Sequence, residues 1–252
     1  MRDPRTGWIH LTTAEFGLIW SAMDLGATPL ALDLPYPAAT PAKRAAATEA
    51  LVGRGLGTVD EPAGDVADLL RLVASAPTQV DLCGYDAAGA WHGLGACMAG
   101  RAAVVVREED AVRLRSAPPD AVVASLLGTM APLPAARGCS ANVAAGDYTR
   151  ACAAGERDGV LGFIESLHAS GLRPADAATL ARALTTRISG GQLGVTGPGR
   201  HGRAVRGASP LTWLDTPAGR YMLLRRGEWI TATPADASRM AGIAADLLDD
   251  LR

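Results

Sequence analysis

The feature that most constrains the fold is a run of short β-prone segments in residues 187–234. These segments alternate with Gly, Pro and Asp, which is the pattern of antiparallel strands joined by turns. The last two, residues 221–225 and 228–233, flank Arg226-Gly227 and predict a tight hairpin. A helix is predicted to follow over 234–251. The chain is therefore expected to end with a sheet and a helix packed on it.

The rest of the chain shows a similar alternation of helical and strand patterns. Apolar residues at helical spacing, with a capping box from Thr12 to Glu15, predict a first helix that stops near Gly26. Period-2 alternation and turn residues predict a hairpin of 103–107 with 111–115. The other predicted helices are 40–52, 65–76, 119–127, 146–154, 160–169 and 174–185. The other predicted features are an extended segment at 30–34, strands at 79–83 and 91–98, a turn at 85–89, a linker or crossover at 132–138 and an edge strand at 139–143.

Two parts of the sequence repeat the same order of signals. A proline-led helix before strands begins at Pro62 and again at Pro174, an offset of 174 − 62 = 112. A hairpin followed by a proline-led helix recurs at Pro119 and Pro234, an offset of 234 − 119 = 115. The alternative is chance similarity in an alanine-rich sequence. A true repeat predicts one domain over 1–252, with pseudo-repeats at about 12–130 and 140–252.

The fold class predicted from this repeat is α+β. The halves would pair about a pseudo-twofold axis, so that their strands form one central twisted antiparallel sheet flanked by helices. Two sheets that do not touch would contradict it.

Composition excludes several classes of protein. The net charge is −2, so no basic field invites nucleic acid or an anionic membrane. The longest apolar run, 102–106, is far below the roughly 20 residues of a membrane helix. No export signal is evident, which predicts a cytoplasmic protein without membrane insertion. No CxxC or CxxH spacing links the cysteines, which are expected to be free thiols: Cys83, Cys97, Cys139 and Cys152.

No stretch assembles into a catalytic, cofactor or metal site. The string from Gly197 to Gly202 matches G-x-G-x-x-G, but that motif needs a following helix, and 203–208 reads as strand. A glycine-rich turn is therefore predicted. The four histidines are scattered without an i, i+4 partner, and no serine has a nucleophile-elbow context. An enzyme is not expected.

The most distinctive string runs from Trp213 to Tyr221 and is interpreted as structural. Asp215 and Thr216 precede a Pro-x-Gly turn, where their side chains are expected to bond backbone amides. Arg220 is expected to return to Asp215 as a paired charge. The residues assigned to this motif are Trp213, Asp215, Thr216, Gly219, Arg220 and Tyr221.

Several motifs occur in order along almost the whole chain: Leu11-Thr12-x-x-Glu15-Phe16 with Trp20, residues 29–35, Arg54-Gly55-Leu56, residues 190–195, Trp213-x-Asp215-Thr216-x-x-Gly219-Arg220-Tyr221, Trp229, and Pro234-x-Asp236 with the last helix. In this order they resemble those of the EspG family, the ESX (type VII) secretion-associated chaperones of mycobacteria and their actinobacterial relatives. The short loop at 84–90 and the near-absence of lysine depart mildly from the family pattern.

The resemblance implies a cytosolic, non-enzymatic chaperone without a cofactor. Such a protein would bind the hydrophobic tip of the PPE subunit in a PE–PPE heterodimer, keep the client soluble and direct it to its cognate ESX system, so that its contact with the secretion machinery is indirect. Family binding surfaces are the sheet face, the loop after the second strand and the C-terminal helical part. Carried onto this sequence, the partner-binding candidates are Tyr85, Asp86 and Trp91.

Two other functions stay open from the residues alone. One is a small-molecule-binding domain or enzyme that uses the Gly197–Gly202 loop. The other is a transcriptional regulator that uses the helices around Arg54, against which the net charge counts.

Overall fold

The computed structural model describes residues 2–35, 40–199 and 202–251. The helices are α1 (Thr13–Ala22), α2 (Pro41–Gly53), α3 (Gly64–Ser75), α4 (Val122–Leu127), α5 (Ala145–Ala169), α6 (Pro174–Thr185) and α7 (Ala237–Asp249). The strands are β1 (Ile9–Thr12), β2 (Thr78–Asp86), β3 (Gly89–Met98), β4 (Arg101–Glu108), β5 (Ala111–Ala117), β6 (Ala141–Ala144), β7 (Ser189–Pro198), β8 (Ala204–Arg206), β9 (Leu211–Thr216), β10 (Gly219–Arg226) and β11 (Trp229–Pro234).

All of these strands belong to one 11-stranded sheet, and every strand pairing is antiparallel. The order is β1-β5-β4-β3-β2-β7-β9-β10-β11-β6, with the short β8 paired to β7 beside this path. Read outward from the middle, each half repeats the same succession: a strand, a three-stranded meander, then a short edge strand. The predicted α+β fold with two pseudo-twofold halves is confirmed.

The strand registers show how closely the halves correspond. Adding 118 to each residue of the β3–β4–β5 meander gives the β9–β10–β11 meander: Met98 pairs with Arg101, and Thr216 pairs with Gly219 (98 + 118 = 216; 101 + 118 = 219). Leu82 pairs with Gly93, and Leu193 pairs with Leu211, the counterpart of Gly93 (93 + 118 = 211), so Leu193 is the counterpart of Leu82 at an offset of 193 − 82 = 111. Leu82 and Leu193 also pair directly with each other across the middle. Because each of these two residues is the counterpart of the other, the pseudo-twofold axis passes through this pair.

Successive strand residues face opposite sides of the sheet, so the two faces carry different cores. One face, here called the closed face, packs against α4 and α7 in a cluster that joins both halves through Val80, Leu82, Leu193 and Val195. The other, the open face, has two separate clusters. One lies under α1–α3 in the first half, and the other lies under α5 and α6 in the second half.

Local sequence signals explain where several helices begin. Thr12 accepts a hydrogen bond from the Glu15 amide and Glu15 accepts one from the Thr12 amide, which confirms the predicted capping box of α1. Thr40 caps α2 with Pro41 in its first turn, and Asp236 caps α7.

The helices predicted at 146–154 and 160–169 are confirmed as the two segments of α5, which is kinked at Gly159 with φ 68° and ψ −158°. Two other local predictions were wrong. The segment predicted as extended at 30–34 contains a 3-10 turn, Leu30–Leu32. The turn predicted at 85–89 is shorter, because Tyr85 and Asp86 still pair within β2.

Candidate partner-binding surface

The middle of the open face is formed by β2 and β7 and is exposed to solvent. Tyr85 pairs with Gly190, Cys83 with Gln192, and both pairs lie on this face by strand alternation. Cys83, Tyr85 and Gln192 are exposed. An antiparallel sheet tolerates one wetted face, but here the wetted strip lies between two helical layers, at the centre of the molecule.

An ion pair crosses this strip. Arg206 on β8 reaches Asp81 on β2 with both terminal nitrogens, and the Nη2–Oδ2 distance is 2.9 Å. The hydrogen bond to Asp81 raises the pKa of the Arg206 guanidinium above its ordinary value. Gly194 makes room for it, because a Cβ at that position would overlap the guanidinium. The pair leaves the strip polar at one end.

Tyr85 and Asp86 lie at the other end of the strip, at the tip of the β2–β3 hairpin. The Tyr85 side chain is 43% exposed, and its hydroxyl lies beside Gly190. Asp86 is exposed and its Oδ1 accepts a hydrogen bond of 2.8 Å from the Ala88 amide in the turn. Tyr85 is placed where a partner approaching the open face would meet it, whereas Asp86, one residue on, lies on the other side of the strand at the hairpin tip.

The structure does not bring Trp91 onto the same face as Tyr85. Trp91 pairs with Gly84, one residue before Tyr85, and therefore lies on the closed face. It is half-buried, with its ring against Gly84 and 5.9 Å from the ring of Trp213. One flat partner cannot contact both aromatics, so Trp91 is placed to hold the hairpin rather than to join Tyr85.

Sequence reasoning missed Ile188 as a surface residue. It directly precedes β7, its amide bonds the Asp215 carbonyl at 2.8 Å, and its side chain is 60% exposed. By alternation with Gly190 it lies on the open face near Tyr85. The only sequence signal for this role is a large aliphatic residue between two buried segments. The sequence alone does not show whether that residue is exposed, because this depends on which face of the sheet the helices cover.

The Trp213–Tyr221 motif lies inside the protein. Arg220 (1% exposed) donates to Asp215 (3% exposed) with Nε–Oδ1 2.6 Å and Nη2–Oδ2 3.0 Å. Ser189 Oγ also donates to Asp215, at 2.9 Å. Thr216 accepts from the Ala218 amide, as predicted for the turn, but Asp215 bonds side chains and not the turn amides.

The same motif fixes the connection between the two halves. Arg220 Nη2 donates to the Ala131 carbonyl, its amide to the Pro134 carbonyl, and its own carbonyl accepts from Ala136. The Tyr221 hydroxyl donates to the Arg137 carbonyl at 3.2 Å. These contacts explain why the strand contains a buried arginine. Arg220 supplies hydrogen-bond partners to the backbone of the connecting segment, which has few other backbone partners.

Arg54 has a comparable structural role in the first half. It donates to Glu15, to the His10 carbonyl at 2.9 Å and to the Ala50 carbonyl at 2.9 Å. Glu15 is 5% exposed, so the α1 capping box and the Arg54-Gly55-Leu56 motif form one buried interaction. These contacts occupy the guanidinium that a nucleic-acid-binding role would need.

The glycine-rich loop does not have the context of a dinucleotide site. Gly199 and Gly202 belong to a turn from β7 to β8, and the Gly199 amide bonds the Arg203 carbonyl at 2.8 Å. The next element in the described chain is the strand β8, so the loop does not lead into the N-terminus of a helix as the dinucleotide motif requires. Arg200 and His201 lie outside the described residues.

Neither a metal-ligand cluster nor a membrane-spanning helix occurs among the described residues. Within 2–35, 40–199 and 202–251, no three His, Cys, Asp or Glu side chains gather as metal ligands. In the same ranges, no helix combines the length and hydropathy needed to cross a bilayer.

The chain matches a known protein family in sequence and a solved structure in fold. A model of the EspG family matches residues 12–245. The fold is similar to that of the Mycobacterium tuberculosis type VII secretion system chaperone EspG5, solved in complex with the PE25-PPE41 dimer. The TM-score is 0.79 at 15% identity, over 97% of this chain and 96% of that chain. No curated protein sequence matches the chain.

Proposed function

This chain belongs to the EspG family, and from that premise we propose that it is a PE–PPE-binding chaperone. It binds the heterodimer through the hydrophobic tip of the PPE subunit, keeps it soluble in the cytoplasm and directs it to its cognate type VII secretion system. Contact with the secretion machinery is indirect, and the protein catalyses no reaction. Nucleic acid and membrane are not partners.

The observation that carries the proposal is the extent of the structural likeness. EspG5 was solved with a PE25-PPE41 dimer, and its fold matches nearly the whole of this chain, including both halves of the sheet. A likeness confined to one half would leave the doubled sheet unexplained.

The chemistry of the open face suits such a client. An apolar helical tip needs aromatic or aliphatic anchors surrounded by polar groups, within an interface of roughly 1,600 Å² in total. Tyr85 and Ile188 supply exposed apolar surface at one end of the strip. Asp81, Arg206 and Gln192 supply the polar surroundings.

The direct test is co-expression with the PE–PPE pairs encoded near the gene, followed by size-exclusion chromatography. We expect one pair to co-elute with the chaperone in a stable complex and to become more soluble. Failure of every such pair to bind would overturn the proposed function.

The contact residues have a separate test. Replacing Tyr85 and Asp86 together by alanine is expected to weaken PE–PPE binding about tenfold or more without unfolding the protein, because exposed aromatic anchors concentrate binding energy. Trp229→Ala is the matched control, since Trp229 is also exposed, at 57%, but belongs to β11, which is next to the edge strand β6 and away from the central β2.

Calorimetric titration and a thermal melt of each variant give the answer. Unchanged binding of the double variant rejects the assignment of Tyr85 and Asp86. An equal loss in the Trp229 variant rejects it as well.

A further inference from the structure

The second half of the open face contains a cleft of about 350 Å³. Its floor consists of residues from β9, β10 and β11, and Tyr148 and Leu184 form its walls. The floor is apolar except for Thr212 and for Arg225, which is exposed at one end. The lining residues on the floor are Thr212, Leu214, Leu223, Arg225 and Ile230.

In the first half, the corresponding part of the sheet is covered by the chain itself. The 3-10 turn Leu30–Leu32 packs on the open face, and Leu32 is fully buried in a cluster with Leu94 and Val105. The next residue, Asp33, receives two hydrogen bonds from Arg107 Nη1, at 2.8 Å to its carbonyl and 3.3 Å to its carboxylate. An aliphatic residue followed by an acidic one therefore fills this position.

Arg225 is the counterpart of Arg107 under the pseudo-twofold relation (107 + 118 = 225). Each arginine donates its Nε to the carbonyl two residues on, Arg107 to Glu109 at 3.2 Å and Arg225 to Gly227 at 3.0 Å. The two guanidinium groups are thus held alike. Among the described residues, Arg225 has no acceptor for its other nitrogens, whereas Arg107 has Asp33.

The floor residues correspond in the same way. Val105 becomes Leu223 (105 + 118 = 223) and Val112 becomes Ile230 (112 + 118 = 230). Both positions remain aliphatic and Ala96 becomes Leu214 (96 + 118 = 214), whereas Leu94 becomes Thr212 (94 + 118 = 212). The patch that receives Leu32 in the first half is therefore present in the second half with one polar residue in it.

The covering segment is missing from the second half because that half is shorter. From the start of α1 to the start of α3 there are 64 − 13 = 51 residues, whereas from α5 to α6 there are 174 − 145 = 29. The difference of 51 − 29 = 22 residues corresponds to the excursion that contains Leu32 and Asp33. In its place the chain has only the break at Gly159 within α5.

We propose that this cleft binds a protein partner through a short segment in which an aliphatic residue is followed by an acidic one. The aliphatic side chain lies on Leu214, Leu223 and Ile230. The carboxylate pairs with the free nitrogens of Arg225, which are oriented for a fork-like contact by the Nε bond to Gly227. The partner thus supplies to the second half what residues 30–33 supply to the first.

The protein's own sequence provides the probe. A labelled synthetic peptide that copies residues 28–35, Thr-Pro-Leu-Ala-Leu-Asp-Leu-Pro, is titrated with the full-length chain by fluorescence anisotropy. We expect weak, saturable binding. Arg225→Glu is expected to reduce the affinity about tenfold or more, and a peptide carrying Arg in place of its Asp is expected to recover most of the loss on that variant.

Arg226→Glu is the matched control, because it makes the same charge change on the neighbouring exposed residue, which faces the other side of the sheet. It is expected to leave the affinity within about twofold. Absence of saturable binding to the natural chain, or an equal loss in both variants, overturns the inference. The assay contains no PE–PPE protein, so its outcome is independent of the proposed function.

Discussion

At the scale of single residues, Asp215 and Arg220 form an ion pair, an interaction typical of the surface, that here stabilises the interior of the protein. Both groups are almost fully buried, and Ser189 and the Ala131 carbonyl satisfy part of their remaining hydrogen-bonding capacity. Removing one charge from such a pair leaves the other without compensation in a medium of low polarity. Replacing only one of the two residues is therefore the most sensitive test of what the pair contributes to stability.

Asp215→Ala is expected to lower the free energy of unfolding by about 3–5 kcal/mol, because it leaves a buried guanidinium unpaired. Urea denaturation followed by circular dichroism measures this. Asp68→Ala is the matched control, since it breaks an exposed pair with Arg71 and is expected to cost less than about 1 kcal/mol. Normal stability of Asp215→Ala together with loss of client binding would show that the motif is functional and not structural.

At the scale of elements, the glycines of β7 show two different reasons for lacking a side chain. A Cβ at Gly191 would overlap the Cys83 carbonyl and lie 2.5 Å from the Trp213 ring. For a Cβ at Gly194, the three nearest atoms all belong to the end of the Arg206 side chain, which can move. The first glycine is required by the backbone of the neighbouring strand, and the second by an exposed ion pair.

Gly191→Ala is therefore expected to cost about 1–3 kcal/mol or more, as overpacking of a fixed core does. Gly194→Ala is expected to cost less than about 1 kcal/mol, because it disturbs mainly the exposed Arg206–Asp81 pair. Melting temperatures of the two variants, made in the same strand, give the comparison. Equal destabilisation would mean that the Arg206 end is as rigid as the β2 backbone.

The elements predicted correctly are those with local causes. The β4–β5 and β10–β11 hairpins follow from period-2 alternation and turn residues, and α1 follows from its capping box. The end of β2 was missed because the turn after Asp86 is Ala87-Ala88, which carries no turn signal. The turn at Leu30–Leu32 depends on packing against the sheet, which no local pattern records, whereas the kink at Gly159 falls between the two helices that the sequence predicted.

At the scale of the whole molecule, the order of elements was readable from the sequence, but its registers were not. The sequence offsets of 112 and 115 differ from the 111 and 118 given by strand pairing. Of the partner-binding candidates, Tyr85 is exposed on the open face, whereas Trp91 belongs to the closed face, because successive residues of a strand face opposite sides of the sheet. Ile188 and Arg225 can be identified as candidate binding residues only when it is known which parts of the sheet are covered by helices.

We propose that residues 1–252 form one domain, with pseudo-repeats at about 12–130 and 140–252. The closed-face cluster takes residues from both halves on either side of the Leu82–Leu193 pair, so neither half completes this core alone. An autonomous half would expose the apolar residues of that seam to water. The two halves are therefore expected to unfold together.

This cooperativity is tested with one core variant in each half. Leu51 lies in the cluster of the first half and Leu167 in that of the second, and both are fully buried. Leu51→Ala and Leu167→Ala are each expected to cost about 2–5 kcal/mol. Native-state hydrogen exchange is expected to show the same loss of protection in β4–β5 and β10–β11 for either variant, because protection of both hairpins is lost only on global unfolding. A loss confined to the half that carries the substitution would show two separately folding domains, joined at the β2–β7 seam without sharing a core.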